Sequence, residues 1–132
     1  MFMNSKNEKP IYVQLADWMM DAILFGAFPE ESQVPSTTEI SANYRINPAT
    51  ALKGVNILVD ESILYKKRGL GMFVCSGAKT QILKKRQKDF FESYITALIS
   101  EAEKLAINKN EILEMIERGY SCLLYTSDAA DE

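Results

Sequence analysis

The sequence predicts a mostly α-helical chain with one small β-hairpin, an α+β arrangement with a helical N-terminal domain, then the hairpin, then a two-helix unit. Three observations predict it. Apolar residues recur at three- and four-residue spacing in separate stretches between Ile11 and Val59, each opened by a proline or a helix-capping residue. Two short runs of β-forming residues, Ile63–Lys66 and Met72–Cys75, flank a pair of glycines. From about Thr80 the helical spacing returns.

The first helix begins after Pro10 and carries Ile11, Leu15, Trp18, Met19, Ala22, Ile23 and Phe25 at its apolar positions, with Gly26 as its stop. Phe28–Gln33, with Pro35 beyond, reads as a loop. Ser36-Thr37-Thr38-Glu39 matches a capping box, in which the Ser36 hydroxyl accepts from the Glu39 amide and the Glu39 carboxylate accepts from the Ser36 amide. The short helix it opens turns Ile40 inward and breaks near Tyr44–Arg45. Asn47 then caps a third helix, and Pro48 suits its first position, where the missing N–H goes unused. Ala51, Val55, Leu58 and Val59 form its buried stripe, while Asn47, Ala49, Thr50, Lys53 and Asn56 fall mostly outside it, before a break near Asp60–Ser62.

Two short, strongly capped helices a few residues apart form a helix-turn-helix. The hairpin after them makes it a winged helix, and the tip is expected to present Lys66, Lys67 and Arg68 in a row. Gly69-Leu70-Gly71 is too short for a nucleotide loop and lacks the following helix that a phosphate cradle needs.

Beyond the wing, Phe91, Tyr94, Ile95, Leu98, Ala102 and Leu105 mark one helix from Thr80 to Ile107, roughly 42 Å at ~1.5 Å per residue, with Ile82, Leu83 and Phe90 extending its apolar surface. Asn108 and Glu111 cap a second helix with Ile112, Leu113 and Ile116 inward and Gly119 as its stop. So small a hairpin does not bury both apolar faces alone, and a second copy is the simplest cover. The expected dimerisation residues are Phe91, Tyr94, Ile95, Leu98, Ala102, Leu105, Ile112 and Ile116. Folding of these helices onto the winged domain of the same chain stays open. The cluster Lys79, Lys84, Lys85, Arg86 and Lys88 lies at the junction, either flanking a nucleic acid or simply solvated. Ser121–Glu132 loses periodicity and is taken as a tail that is not native, outside the functional reading. The domains expected are therefore residues 1–76, 77–120 and the tail 121–132.

Composition excludes several chemistries. The 132 residues hold 15 Lys+Arg against 18 Asp+Glu, a net charge of −3, with 47% hydrophobic and 25% charged residues, the profile of a globular chain. No apolar run approaches the ~18 residues of a membrane span. Met1–Pro10 has no leader-like apolar region, so a cytoplasmic location without a membrane partner is expected. The absence of histidine removes Ser-His-Asp and Cys-His nucleophile systems and every His-containing metal site. Cys75 and Cys122 form no CxxC pair, and Cys75, inside an apolar run, is expected to be a buried inert thiol. No catalytic residue, metal or cofactor is expected, and the chain is not expected to be an enzyme.

Taken in order, Ile11-Tyr-Val-Gln14, Val34-Pro-Ser-Thr-Thr-Glu-Ile40, Ile46-Asn-Pro-Ala-Thr50 and Gly69-Leu-Gly-Met-Phe-Val74 resemble the DNA-binding domain of GntR-family bacterial transcriptional regulators over about residues 10–76. The remainder is similar to the YtrA-type branch, whose members carry a small helical dimerisation unit. The resemblance implies a homodimer on a partly palindromic double-stranded DNA operator, usually acting as a repressor. It assigns DNA contact to Ser36, Thr37 and Thr38, to Asn47, Ala49, Thr50 and Lys53, and to Lys67, Arg68, Gly69 and Gly71. Two positions depart from the family, which commonly has Arg at Thr38 and often a cation at Leu52, and this implies a different operator or weaker binding. No effector is assigned.

Residues 1–76 contain seven Lys+Arg and eight Asp+Glu, a net of −1, so location matters more than the sum. Glu8, Asp17, Asp21, Glu30 and Glu31 lie in or beside the first helix, whereas Lys53, Lys66, Lys67 and Arg68 belong to the third helix and the wing. A polarised domain with a small basic face is expected. Capping by Ser36 and Asn47 is compatible with phosphate contact. The rival reading is a winged-helix module that docks proteins through its acidic first helix and C-terminal pair.

Overall fold

A computed structural model describes residues 8–130, with side chains as far as residue 123. Residues 1–7, on which the leader argument partly rests, and the end of the tail lie outside the described residues. The chain divides into two compact units between Arg86 and Gln87.

The first unit is built from α1 (Ile11–Leu24), α2 (Thr37–Tyr44), α3 (Pro48–Asp60), an antiparallel hairpin of β1 (Leu64–Lys67) and β2 (Gly71–Val74), and the first turns of α4 (Ala78–Phe90). Its core joins Leu15, Met19 and Ile23 of α1 to Ile40 of α2 and Val55 and Leu58 of α3, with Ile63, Leu64 and Val74 closing it from the hairpin. Trp18 meets Phe28 and Tyr44 edge-on at one end. α1 crosses α3 at Gly54, where an added Cβ would lie 2.8 Å from the Tyr12 carbonyl oxygen. The helix-turn-helix and wing follow the predicted fold class.

Four details differ from the sequence reading. Phe25 lies past the end of α1 and is 86% exposed, so it is no core residue. The stretch read as a loop pairs with β2 at its end: the Glu31 amide donates to Val74, the Val34 amide to Met72, and the Val74 amide to Ser32. This backbone pairing, with no periodic apolar pattern, left no local signal. The strands stand one residue later on β1 and one earlier on β2, because Lys67 pairs with Gly71. The unit also reaches Arg86 rather than residue 76. Ala78 and Ile82 have no exposed surface, Arg86 donates to the Asp21 carboxylate at 2.6 Å, and Lys85 donates to Glu61 at 2.6 Å.

The second unit holds the rest of α4, a π-helical turn (Phe91–Ile95), α5 (Thr96–Lys104) and α6 (Lys109–Ala130). The single helix expected from Thr80 to Ile107 is thus interrupted, and the Thr96 hydroxyl donates to the Glu92 carbonyl there. One extra residue in a turn rotates the helix before it by about 100° relative to the helix after it, so the apolar positions no longer form one stripe. Asn108 and Glu111 make the expected reciprocal cap, at 2.9 and 3.1 Å. Gly119 is not a stop: α6 runs through it, and Ser121–Leu123 continue the helix instead of starting a separate tail. The run of helix formers before Gly119, from Glu111 to Arg118, outweighs the roughly 1 kcal/mol that an internal glycine costs. Among the described residues no helix is long and apolar enough to cross a membrane.

Candidate nucleic-acid interface

The site begins at the start of α2. The Ser36 Oγ accepts from the Glu39 amide at 3.0 Å, and the Glu39 carboxylate accepts from the Ser36 amide at 3.2 Å. Ser36 and Thr37 are half-buried, and Thr38 is exposed. The helix closes at Arg45, an exposed residue with φ of 53°, and the Ser41 hydroxyl donates to the Ile46 carbonyl to hold the turn. Asn47 then caps α3 through its Oδ1, which accepts from the Ala49 amide at 2.8 Å, leaving its two amide hydrogens available. Helical spacing puts Ala49, Leu52, Lys53 and Asn56 on the outer face of α3, all exposed, with Thr50 half-buried beside them. The Lys53 ammonium sits over the Tyr12 ring, 4.1 Å from its centroid, so α1 fixes where this cation stands.

The wing is arranged differently from the expected row of three cations. Lys66 and Lys67 belong to β1, and successive strand residues face opposite sides. Lys66 shares the helix-facing side with Leu64 and Met72, whereas Lys67 lies over the Phe73 ring, which stacks on Tyr65 on the outer side. Only Arg68 occupies the tip. Gly69 and Gly71 take φ of 78° and 118°, which other residues avoid, and the Leu70 amide donates to the Lys67 carbonyl to close the turn. Gln33 braces the tip: its Nε2 donates to the Leu70 carbonyl at 2.7 Å, close to where a Cβ on Gly71 would stand. Gln33→Ala is expected to speed amide hydrogen exchange at Leu70 about fivefold, the worth of one ~1 kcal/mol hydrogen bond, with Val74 unchanged.

The electrostatics are lopsided. Among the described residues Arg45, Lys53, Lys66, Lys67 and Arg68 make no ion pair. Four of the acids are engaged away from these cations: Asp17 pairs with Lys9, Asp21 with Arg86, Glu61 with Lys85, and Glu39 is held in its cap. Glu31 accepts from the Tyr65 hydroxyl at 2.9 Å, and this hydrogen bond raises the Tyr65 pKa above its ordinary value. Cys75 is half-buried, and burial, with Glu31 adding, pushes its thiol pKa up, away from reactive thiolate. Among the described residues no group of three His, Cys, Asp or Glu side chains is placed to hold a metal ion.

The start of α2, the outer face of α3 and the wing are brought together around one depression of ≈ 260 Å³, lined by Ser36, Thr37, Asn56, Lys66 and Gly71 among others. Lys67, Arg68 and Gly69 lie at the exposed tip and outer side of the wing rather than in it. The sequence reading missed Gln33, Arg45 and the ring of Tyr12. A lone cation in the short turn between capped helices was a usable signal for Arg45; Gln33 and Tyr12 act through contacts distant in sequence. Of the junction cluster, Lys85 and Arg86 are tied to carboxylates of the first unit. In the second unit Phe91, Tyr94, Leu98, Leu105 and Ile116 remain exposed, Ile95 and Ile112 are half-buried, and Leu113, expected inward with Ile112 and Ile116, is exposed too. Ala102, 5% exposed, is already covered within the chain and offers little surface.

No family model matches the chain. A crystal structure of a GntR-family transcriptional regulator from Bacteroides thetaiotaomicron is 32% identical, with a TM-score of 0.75 over 86% of this chain and 99% of that one. The transcriptional repressor YtrA of Bacillus subtilis is 25% identical over 112 residues, 85% of each chain. The longer Bacillus subtilis regulator YurK is 30% identical over 74 residues, 56% of this chain, and the chain spans only 31% of its length. The DNA-binding domain of AraR, solved in complex with its operator ORX1, is 25% identical, with a TM-score of 0.52 over 57% of this chain and 93% of that domain.

Proposed function

The chain belongs to the GntR family of transcriptional regulators, and on that premise we propose that it represses transcription as a homodimer bound to a partly palindromic double-stranded DNA operator. It is a regulator and not an enzyme. The observation that carries the reading is the set of unpaired cations on the α2–α3 turn, α3 and the wing, while Asp17, Asp21 and Glu61 are paired with other cations. Phosphate neutralisation supplies most DNA affinity, and cations without carboxylates are available for it. Ser36, Thr37 and Thr38 meet phosphate at the start of α2, where helix amides point outward. Asn47, Ala49, Thr50 and Lys53 enter the major groove, and Lys67, Arg68, Gly69 and Gly71 bring the wing against the duplex. The AraR domain bound to its operator and the repressor YtrA support this reading.

The second unit supplies the dimer contact, so that two recognition helices meet successive turns of DNA, ~34 Å apart. Fluorescence anisotropy with labelled random duplex over a salt series tests the function. A regulator binds with a steep negative slope of log affinity against log salt; a protein-docking module shows no binding. Arg68→Ala is expected to weaken binding to most duplexes by about tenfold and to flatten the slope by roughly one unit. Unchanged affinity and slope in that variant remove the wing from the interface.

A further inference from the structure

We infer that Leu52 is a specificity-determining residue that reads the 5-methyl group of a thymine in each operator half-site; this rests on the DNA-binding reading above. Leu52 stands outside the apolar core and is 50% exposed, in the middle of the outer face of α3. It is not at the rim of the interface. It lines the same depression as Ser36 and Thr37 from α2, Asn56 from α3, and Lys66 and Gly71 from the wing. A duplex that touches the start of α2 and the wing together therefore lies over Leu52.

The chemistry selects the partner. Leucine offers neither a hydrogen bond nor a charge, so it gains nothing from phosphates or from the polar edges of guanine, adenine and cytosine. The major groove presents one apolar group, the thymine methyl, and burying it against an aliphatic side chain removes both from water. The neighbouring Lys53 stands at a different point of the same face, with its ammonium over the Tyr12 ring, so the two side chains do not compete for one position. Ala49, one turn earlier on the same exposed face, offers a single methyl group and a smaller apolar surface than Leu52. Leucine thus gives this surface a preference where a cation would give only affinity.

The test uses the full chain. Duplexes enriched by the purified protein from a random library define the operator, and each thymine is then replaced singly by deoxyuridine, which lacks only the methyl. Binding by the unmodified protein is expected to fall about fourfold at one position in each half-site, the effect of one buried methyl group. Leu52→Ala is expected to weaken binding to the parent operator and to be indifferent to deoxyuridine at that position. Leu52→Lys is expected to bind duplexes of all sequences more tightly and to lose the same preference. Since Leu52 lies outside the core, both variants keep the thermal unfolding midpoint. Indifference of the unmodified protein to every replacement, or a full deoxyuridine penalty retained by Leu52→Ala, overturns the assignment. Failure to enrich any sequence, with no binding to random duplex, instead overturns the DNA reading beneath it.

Discussion

Leu98→Asp is expected, on the proposed dimer, to give a monomer in sedimentation velocity and to weaken operator binding about a hundredfold or more, because the two linked half-site contacts of that dimer become one. Leu98 is 41% exposed on α5, and with Ile112 and Ile116 of α6 it lines a mostly apolar cleft of ≈ 630 Å³. Phe91, Tyr94, Ile99, Leu105 and Leu113 add further exposed apolar surface in the same unit. In the proposed dimer a second copy covers this surface, and a carboxylate placed there is desolvated without a partner, which costs several kcal/mol, enough to dissociate a small dimer. The first unit contains none of these side chains, so its unfolding transition and the salt dependence of its residual DNA binding are expected to survive. A dimer that persists in Leu98→Asp moves the interface off this face. A monomeric unmodified protein with full operator affinity removes the bivalent account altogether.

The features legible in the sequence are those set by neighbours in the chain. The Ser36–Glu39 and Asn108–Glu111 caps need only a three-residue spacing, and Asn47-Pro48 declares a helix start by itself, so the helix-turn-helix is readable directly. The wing is readable as a hairpin, but its pairing runs one residue further toward the tip than the β-forming runs suggest. Lys67 therefore joins β1 and faces away from Lys66, and Arg68 is left alone at the tip. Gln33 is illegible because its partner lies 37 residues away, and the placing of Lys53 is illegible because it depends on the ring of Tyr12. In the second unit periodicity marks the apolar positions without locating the π-helical turn between them, and it does not separate Ala102, covered within the chain, from exposed Leu98.

Gly54→Val is expected to destabilise the first unit by about 2–3 kcal/mol, read as a lowered midpoint in urea unfolding. Glycine inside a helix ordinarily costs up to about 1 kcal/mol relative to alanine, so the position looks improvable by propensity alone. Its surroundings reverse the sign. A Cβ at Gly54 would lie 2.8 Å from the Tyr12 carbonyl oxygen and 2.9 Å from Leu15 Cδ2, and Leu15 has no exposed surface into which to retreat. The carbonyl belongs to the α1 backbone, so relief requires moving α1 away from α3. That movement also carries the Tyr12 ring from beneath Lys53, coupling a packing defect to the recognition face. Gly119 is the control in the same chain. It lies within α6 with nothing within 4 Å of its would-be Cβ, and Gly119→Ala is expected to stabilise that helix by roughly 0.5–1 kcal/mol. Opposite signs at the two helical glycines follow from the close approach of α1 to α3 at Gly54 and the open space at Gly119. A Gly54→Val chain as stable as the parent refutes that contact, and with it the way α1 holds the recognition helix.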